Sequence, residues 1–214
     1  MSLPNKNKWI IIGISGVTCG GKTTLANNLQ RLLSPVYIFH QDKYFYPDNS
    51  PHHIKCDNLE HNNYDILSAL NMQLMYDDIV KTINGDNKAH AQNLERACGK
   101  LEVKGKKFMV LEGFTVMNYK PIMELCHLRY YFVLEYSECL NRRVYRLYDP
   151  PDIDGYFDQC VWPEHLRYRA EIEKDKRVSI IDGTRNDSLD IVISDLERMG
   201  AEKICSSAYV LTDR

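Results

Sequence analysis

The stretch GISGVTCGGKTTLA, residues 13–26, contains a glycine-rich turn followed by a lysine and two threonines. Residues 16–23 fit the pattern G-x-x-x-x-G-K-[ST], in which glycines let successive backbone N–H groups point at one anion. The positive end of a following helix adds to this attraction. Lys22 would reach the outer phosphates of a nucleoside triphosphate, and the Thr23 hydroxyl would ligate Mg²⁺. A chance match is the alternative, but the apolar run before the loop and the helical leucine spacing after it favour ATP or GTP binding.

Two carboxylates stand at the ends of apolar runs that are typical of strands. Asp42 follows VYIFH (36–40), and Glu112 ends KFMVLE (107–112). A small-molecule kinase needs a group that orients the acceptor hydroxyl and takes its proton, which suits Asp42. Glu112 suits an outer-sphere position around Mg²⁺. Each acid alone could be a solvated strand end, but together with the phosphate loop they indicate phosphoryl transfer.

Three arginines are grouped in NRRVYRLYDPPD, residues 141–152. Arg142 and Arg143 precede Arg146 by four and three positions, so on a helix all three share one flank. Guanidinium groups there suit a lid that closes over phosphates and stabilises the charge of the transferring group. A solvated basic face is the alternative. The spacing favours a lid at about residues 138–156.

The elements that would position these side chains alternate along the chain. Strands are predicted at 9–15, 36–40, 107–112, 129–136 and 177–182, several as continuous apolar runs typical of a buried parallel sheet. Helices are predicted from Lys22, from about Ile66 behind Asn62 and Asn63 as N-caps, behind Ser137, and around 189–196. This order predicts an α/β fold with a doubly wound, mostly parallel five-stranded sheet and helices on both faces. The ligand should lie at the carboxyl ends of the strands, with the polar stretches 46–61 and 84–105 as loops over that edge.

Composition narrows the possible partners and the compartment. The 214 residues show no repeat or boundary, so a single domain over 1–214 is expected. A net charge of −2 argues against nucleic acid, and no apolar stretch reaches the ~20 residues of a membrane span. Seven cysteines, at 19, 56, 98, 126, 139, 160 and 205, include no C-x-x-C pair. With no signal-peptide pattern, this predicts reduced thiols in a cytoplasmic protein.

Seven segments, taken in order, resemble the nicotinamide riboside kinase family of P-loop, uridine-kinase-like nucleoside kinases. They are GISGVTCGGKTTLA, HQD-x-Y-F, NNYDILSALNM, LEGF-x-x-x-NYKP, RRVYRLYDPPD-x-x-GYFD, VWP-x-x-L-x-YR and DGT, and they run from about residue 10 to 187. The resemblance implies a P-loop kinase fold with a helical lid. It also implies ATP- and Mg²⁺-dependent phosphorylation of the ribose 5′-hydroxyl of nicotinamide riboside, and of nicotinic acid riboside, in NAD biosynthesis.

The resemblance further implies roles for single residues. Asp42 is the expected base, also near the metal with Thr23 and Glu112, and Lys22, Glu112 and Arg146 complete the catalytic group. Tyr64 and Tyr148 are expected to sandwich the cationic pyridine ring. Each tyrosine face would attract the cation by roughly 0.5–2 kcal/mol. Asp65 and Arg143 are expected to hold the ribose diol, with Asp65 early in the predicted second helix and so at its positive end.

Other contacts are expected from the same segments. Further substrate contacts are assigned to Tyr44, Phe45, Asp149 and Asp152. Nucleotide contacts are assigned to Gly16, Val17, Thr18, Cys19, Gly20, Gly21, Lys22, Thr23, Thr24, Arg142, Arg146, Arg185, Asn186 and Asp187, the last three against the adenine. Lys43 departs from the family, which often has a second acid there, and this could alter metal handling or the preference between the two ribosides.

Other interpretations remain open at this stage. A uridine- or cytidine-type kinase would share the fold and the loop, although the aromatic pair and RLYDPPD argue against it. A non-catalytic nucleotide-binding adaptor would have no need of Asp42 or the lid. The metal-ligand types in PHHIKCDNLEH, His52, His53, Cys56 and His61, match no strong zinc spacing, so a solvated loop near the nucleoside entrance is expected. Trp162 is expected to pack in the core.

Overall fold

The computed structural model describes residues 6–85 and 101–203. Its strands are β1 (Trp9–Gly16), β2 (Val36–His40), β3 (Leu101–Glu102), β4 (Lys107–Glu112), β5 (Leu128–Val133), β6 (Ser179–Asp182) and β7 (Glu202–Lys203). Its helices are α1 (Lys22–Leu32), α2 (Met72–Asn84), α3 (Lys120–Met123), α4 (Tyr136–Arg143), α5 (Trp162–Ile172) and α6 (Ser188–Arg198). Strands β2-β4-β1-β5-β6 form a parallel five-stranded sheet in that order, and β3 pairs with β7 antiparallel. The predicted α/β fold is confirmed.

The long apolar run of β1 is explained by packing on both faces of the sheet. Alternate side chains of a strand point to opposite faces. Ile10, Ile12 and Ile14 are buried in one cluster with residues of α1 and α6. Trp9 and Ile11 are buried in the opposite cluster with residues of α2 and α3. With helices on both faces, the carboxyl end of β1 is where a ligand is expected in a sheet of this kind.

The second helix does not begin where the sequence pattern predicted. Asn62 and Asn63 do not cap it, and Ile66 lies in extended backbone before a short 3₁₀ turn at Leu67–Ala69. Helix α2 begins at Met72, where the side chain of Asn71 accepts a hydrogen bond from the Leu74 amide. The apolar residues before this cap mimic helical spacing but pack as irregular chain. Asp65 is therefore not held by a helix N-terminus.

Helix α5 was missing from the sequence prediction. It continues from a π-helical turn at Phe157–Val161 and carries a proline in its first turn. Trp162 at its start is partly buried and packs edge-to-face against Tyr136 and obliquely against Phe157. Tyr156, just before the π-helical turn, lines the site described below.

Several predictions fall at the limits of the described chain. Of the loop predicted at 84–105, residues 86–100 lie outside the described residues and 101–102 form β3. Cys98 and Cys205 also lie outside them, and the five cysteines within them are free thiols. No helix among residues 6–85 and 101–203 is long and apolar enough to cross a membrane.

Candidate active site

The phosphate loop connects β1 to α1 and is held against β5. Gly16 and Gly21 have φ angles of 119° and 99°, in the region that favours glycine. A Cβ on Gly16 would lie 2.5 Å from the Phe132 backbone nitrogen and still closer to the Phe132 carbonyl oxygen. The loop therefore lies directly on the backbone of the next strand, which fixes where its amides point.

Lys22 lies at the start of α1 with its side chain folded back over the loop. The ammonium group donates a 2.6 Å hydrogen bond to the Val17 carbonyl, and the residue is buried. Burial lowers its pKa, while the nearby carboxylates of Glu112 and Asp42 oppose that shift. A cation held in this way is available to oxygens of a phosphate group entering the loop.

Strand pairing brings the two predicted carboxylates together. His40, the last residue of β2, is in register with Glu112, the last residue of β4, and Asp42 follows two residues later. Glu112 accepts a 2.9 Å hydrogen bond from the Thr23 hydroxyl, and its other oxygen lies 2.8 Å from His40 Nδ1. Glu112 thus links the sheet edge to the first turn of α1.

The electrostatics of the two acids differ. Burial raises the pKa of Asp42, and the charge of Glu112 raises it further. Burial also acts to raise the pKa of Glu112, but the hydrogen bond with His40 and the charge of Lys22 outweigh it, so this pKa is lowered. The site therefore favours the charged form of Glu112 and disfavours the charged form of Asp42.

A cavity of about 320 Å³ opens from these residues toward the loop at 46–61. It is lined at its inner end by Lys22, Thr23, Asp42 and Glu112, and further out by Phe45, Asp65, Tyr64, Tyr148 and Phe114. A second cavity of about 350 Å³ lies over the outside of the phosphate loop, lined by residues 19–24, Arg142 and Arg146. The two cavities share Lys22, Thr23 and Arg146, so ligands in both would meet at these three side chains.

Asp65 and Tyr64 are held in place by a tyrosine from the GYFD segment. The Tyr156 hydroxyl donates a 2.9 Å hydrogen bond to Asp65 and accepts one of 2.9 Å from the Tyr64 amide. Tyr156 is 1% exposed, so this junction lies in the protein interior. Burial raises the pKa of Asp65, against the lowering influence of Arg143 and Tyr156. The carboxylate position is thus set by side-chain contacts and not by a helix dipole.

Arg143 and Tyr148 form the opposite wall of the cavity. Arg143 makes a two-point ion pair with Asp152, at 2.6 and 2.9 Å, and its third nitrogen lies 3.2 Å from the Thr18 hydroxyl. Its guanidinium lies 4.2 Å from the Tyr148 ring centroid, and that of Arg146 lies 5.3 Å from it. The Tyr148 hydroxyl lies 3.1 Å from Thr18 Oγ1. Burial raises the pKa of Tyr148 to about 12.

The segment predicted to be a lid, at about residues 138–156, contains most of α4 and the irregular chain after it. Arg142 donates to the carbonyls of Cys19 and Gly183, at 3.3 and 3.0 Å, and so joins the phosphate loop to the DGT segment. Beyond α4, Tyr145 and Leu147 are almost fully exposed, and Arg146 is exposed over the loop. Helix α4 ends at Arg143, so Arg146 does not share a helix flank with Arg142 and Arg143 as predicted, although Arg142 and Arg146 both line the cavity over the phosphate loop.

Some predicted site residues are not brought to either cavity. Tyr44 is buried in the hydrophobic core, and its hydroxyl donates to Asp78 at 3.3 Å, because the 3₁₀ turn after β2 directs it away from the cavity. Lys43 is exposed and lines neither cavity. Arg185 and Asp187 are ion-paired with each other on the surface before α6 and line neither cavity, as does Asn186 between them.

In the loop PHHIKCDNLEH, residues 51–61, two histidines contact backbone carbonyl groups. His53 Nε2 lies 3.0 Å from the Tyr46 carbonyl, and the two ring nitrogens of His61 lie 2.7 and 3.3 Å from the carbonyls of Asn62 and Pro151. Across the part of the chain that the structure describes, no group of three or more His, Cys, Asp or Glu side chains could hold a metal ion. His61 lines the 320 Å³ cavity, the one that also contains Asp42 and Tyr64.

Sequence reasoning missed three side chains with clear positions in the site. Tyr156 and His40 belong to the GYFD and HQD segments but had no assigned role, and Asp48 had none either. Asp48 lines the cavity and accepts a 3.0 Å hydrogen bond from the Tyr64 hydroxyl. The signal for Tyr156 and His40 was their place within the motifs, whereas the contact of Asp48 depends on how the loop folds back.

A parallel sheet whose first strand runs into a phosphate loop, with an acceptor cavity opening beside the same lysine, is the architecture of a P-loop kinase. A solved sugar kinase from Janibacter sp. HTCC2649 has the same fold, with a TM-score of 0.54, 10% identity, and coverage of 88% of this chain and 94% of that one. No family model matches the chain.

Curated relatives identify the family. Nicotinamide riboside kinase 1 of Rattus norvegicus is 38% identical over 182 residues, covering 84% of this chain and 89% of that protein. The Homo sapiens protein of the same name is 37% identical over 181 residues, covering 84% and 87%. A uridine kinase of Clostridium novyi (strain NT) is more distant, at 26% over 209 residues. The chain belongs to the nicotinamide riboside kinase family, and it is a kinase that uses a nucleotide as phosphate donor.

Proposed function

We propose that this protein transfers the γ-phosphoryl group of ATP to the ribose 5′-hydroxyl of nicotinamide riboside, and also of nicotinic acid riboside, and so supplies mononucleotide for NAD biosynthesis. The observation that carries the proposal is the meeting of the two cavities at Lys22, Thr23 and Arg146, with Asp42 on the acceptor side only. A phosphoryl group can pass between two sites only where donor and acceptor ligands come into contact.

The donor would occupy the phosphate loop. Its backbone amides and Lys22 would hold the outer phosphate oxygens, and Arg142 and Arg146 would approach from the lid. In the reaction the acceptor oxygen forms a bond to the γ-phosphorus as the bond to the bridging oxygen of ADP breaks. The proton of the 5′-hydroxyl passes to Asp42, whose raised pKa favours accepting it. Because the transition state is loose, positioning by these groups should contribute more than proton removal.

The side chains at the sheet edge fit a magnesium ion. Thr23, Asp42 and Glu112 line the same cavity end and present hydroxyl and carboxylate oxygens, the donors that Mg²⁺ prefers. When bound with ATP, Mg²⁺ would neutralise charge on the phosphate oxygens. Glu112 already accepts hydrogen bonds from Thr23 and His40, so it would act on the ion through water, as an outer-sphere group. Asp42 would contact the ion directly.

The outer half of the cavity suits a nucleoside with an aromatic cationic base. Asp65, fixed by Tyr156, can accept hydrogen bonds from the ribose diol, and Arg143 beside it can donate. Tyr64 and Tyr148 line the cavity beyond them and offer ring faces to a pyridinium. Each ring would attract the cation by roughly 0.5–2 kcal/mol. Phe45, Asp149 and Asp152 also line the cavity and are proposed substrate contacts, whereas Tyr44 in the core is not.

The proposal includes one kinase domain, with α4 and residues 144–156 as its lid. We also infer that the protein works in the cytoplasm, which is supported by the free thiols of all five cysteines in the described residues.

A substrate panel tests the proposal. Purified protein is incubated with Mg²⁺ and ATP, and kcat/KM is measured for nicotinamide riboside, nicotinic acid riboside, uridine and cytidine. We expect kcat/KM for the pyridine ribosides to exceed that for the pyrimidine nucleosides by at least about 10²-fold, since only a cationic ring gains the full attraction of the tyrosine faces and the acidic cavity. Preference for uridine or cytidine would overturn the substrate assignment, and ATP binding without any transfer would overturn the activity.

A further inference from the structure

We propose that Asp48 is a specificity-determining residue, whose carboxylate makes the enzyme prefer the amide of nicotinamide riboside over the acid of nicotinic acid riboside. This inference rests on the proposed function. The two substrates share a ribose and a pyridinium ring and differ only in whether the ring substituent is neutral or a carboxylate. A fixed charge near the ring edge can therefore make the enzyme discriminate between the two substrates.

The position of Asp48 is set by the tyrosine that lines the base end of the cavity. The Tyr64 hydroxyl donates to Asp48 Oδ1 at 3.0 Å, and the Asn62 side chain donates to the Asp48 carbonyl at 3.2 Å. Asn62 also donates to the Tyr64 hydroxyl, at 3.3 Å. Because the phenol oxygen lies at the tip of the ring, the Asp48 carboxylate lies at the edge of any base stacked on Tyr64. Asp48 is exposed and lines the cavity, so its carboxylate faces that space.

Two acids act on the Tyr64 hydroxyl. Burial raises the pKa of this hydroxyl, and the negative charges of Asp48 and Asp149 raise it further. The Tyr64 ring also contacts the rings of Phe45, His53 and His61, at centroid distances of 6.0, 5.0 and 5.5 Å. A pyridinium at this end is attracted by the acids, whereas an added carboxylate is repelled by them.

The opposite wall has the opposite sign and makes the contribution of Asp48 necessary. The guanidinium groups of Arg143 and Arg146 lie 4.2 and 5.3 Å from the Tyr148 ring centroid. Arg143 is neutralised by its ion pair with Asp152, whereas Arg146 is exposed and contacts the Tyr148 ring and the Cys19 thiol, the latter at 3.9 Å, with no ion pair among the described residues. Arg146 would attract the carboxylate of nicotinic acid riboside, and the acids near Tyr64, Asp48 and Asp149, oppose that attraction. Asp48, held by the Tyr64 hydroxyl, is the acid fixed at the edge of the base.

Competition between the two ribosides tests this inference. Both substrates are mixed with wild-type protein, Asp48→Asn and Asp57→Asn, and the ratio of the two kcat/KM values is read from the products. Asp57 is the matched control because it is an exposed acid of the same loop that does not line the cavity. For Asp48→Asn we expect the ratio to shift toward nicotinic acid riboside by about three- to tenfold, the size of one charge interaction across several ångströms near a protein surface. Asp57→Asn should leave the ratio unchanged.

A second variant separates charge from packing. Tyr64→Phe keeps the Asp48 charge but removes the hydroxyl that holds it, so both ribosides should lose kcat/KM with a smaller change in their ratio. An equal loss for both substrates in Asp48→Asn would mean that Asp48 only positions Tyr64 and would overturn the inference, as would an unchanged ratio. Failure of wild-type protein to phosphorylate either riboside would instead overturn the proposed function.

Discussion

The Thr23 hydroxyl donates a 2.9 Å hydrogen bond to Glu112, which joins the first turn of the helix after the phosphate loop to the carboxyl end of a neighbouring strand. His40 contacts the other oxygen of the same carboxylate at 2.8 Å. The phosphate loop and the acid-bearing sheet edge are therefore one connected structure. In the proposed reaction this connection would hold Asp42 at a fixed position relative to the phosphate loop, on which in-line transfer depends.

Replacing Tyr156 with phenylalanine should weaken nucleoside binding without affecting ATP. The change removes the donor to Asp65 and the acceptor for the Tyr64 amide, and an unsatisfied buried group costs about 1–3 kcal/mol. We expect the nucleoside KM to rise by about 5- to 100-fold while the ATP Kd stays constant, measured by steady-state kinetics and nucleotide titration. Tyr136→Phe is the control, because its hydroxyl also donates to an aspartate, Asp158, but lies outside the cavity. Equal KM values in the two variants would contradict the positioning role.

Truncation of Tyr148 should separate ring stacking from hydrogen bonding. In Tyr148→Ala the ring face is lost, and we expect the nucleoside KM to rise by about tenfold or more with little change for ATP. Tyr148→Phe keeps the ring and loses the contacts of the hydroxyl with Thr18 and the Cys19 thiol, so its effect should be smaller. If the phenylalanine variant is as impaired as the alanine variant, the hydroxyl and not the ring face is the important feature.

Gly16 should tolerate no side chain. A Cβ there would meet the backbone of Phe132, which cannot move without breaking the sheet, and the φ of 119° is unfavourable for other residues. We expect Gly16→Ala to lower the free energy of unfolding by about 3 kcal/mol or more in denaturant titrations. Gly85→Ala is the control, because Gly85 follows α2 at φ 83° and a Cβ there would meet no other atom. This variant should lose only the free energy needed to hold a non-glycine residue at positive φ, about 1–2 kcal/mol. Equal losses would show that the contact with Phe132 is unimportant.

Stability should fall on acidification because of His165. This side chain is 8% exposed and packs against Trp162 and Tyr131, and burial, followed by the charge of Arg169, lowers its pKa to about 4. An unfolded histidine has a pKa near 6.5, so between these values the unfolded chain binds a proton that the folded chain does not. The free energy of unfolding should therefore decrease as pH falls from about 6.5 to 4, by up to about 3 kcal/mol.

Urea titrations at several pH values check this. His165→Phe keeps an aromatic ring against Trp162 and should have a shallower dependence on pH than the wild type. His52→Phe controls for loss of an exposed imidazole. Identical pH dependence in His165→Phe and the wild type would exclude His165 as the cause.

The five central strands and the phosphate loop were predictable because the signals are local. A buried parallel strand is a continuous apolar run, and the glycines of the loop occur at fixed spacing from Lys22. The start of α2 was predicted too early because Ile66 and Leu70 are buried by irregular chain, and only the Asn71 cap marks the true beginning. Helix α5 was missed because charged and aromatic residues dilute its apolar stripe.

The site was predictable in part. Asp42 and Glu112 follow from their places at strand ends, since parallel strands end at one edge. Tyr44 was misplaced because neighbouring residues in a 3₁₀ turn point in different directions, and motif membership does not distinguish Tyr44 from Phe45. Asp48 could not be found at all, because its contact with Tyr64 joins two parts of an irregular loop.

Transfer of label from γ-³²P-ATP to nicotinamide riboside by wild-type protein and Asp42→Asn tests the central claim most directly. The variant keeps the size of the side chain and removes its charge and its capacity to take a proton. We expect the wild type to form labelled mononucleotide and the variant to lose about 10²–10⁴-fold in rate while its ATP Kd stays within a few-fold of the wild-type value. Near-normal transfer by Asp42→Asn, or no labelled mononucleotide from the wild type, would contradict the account.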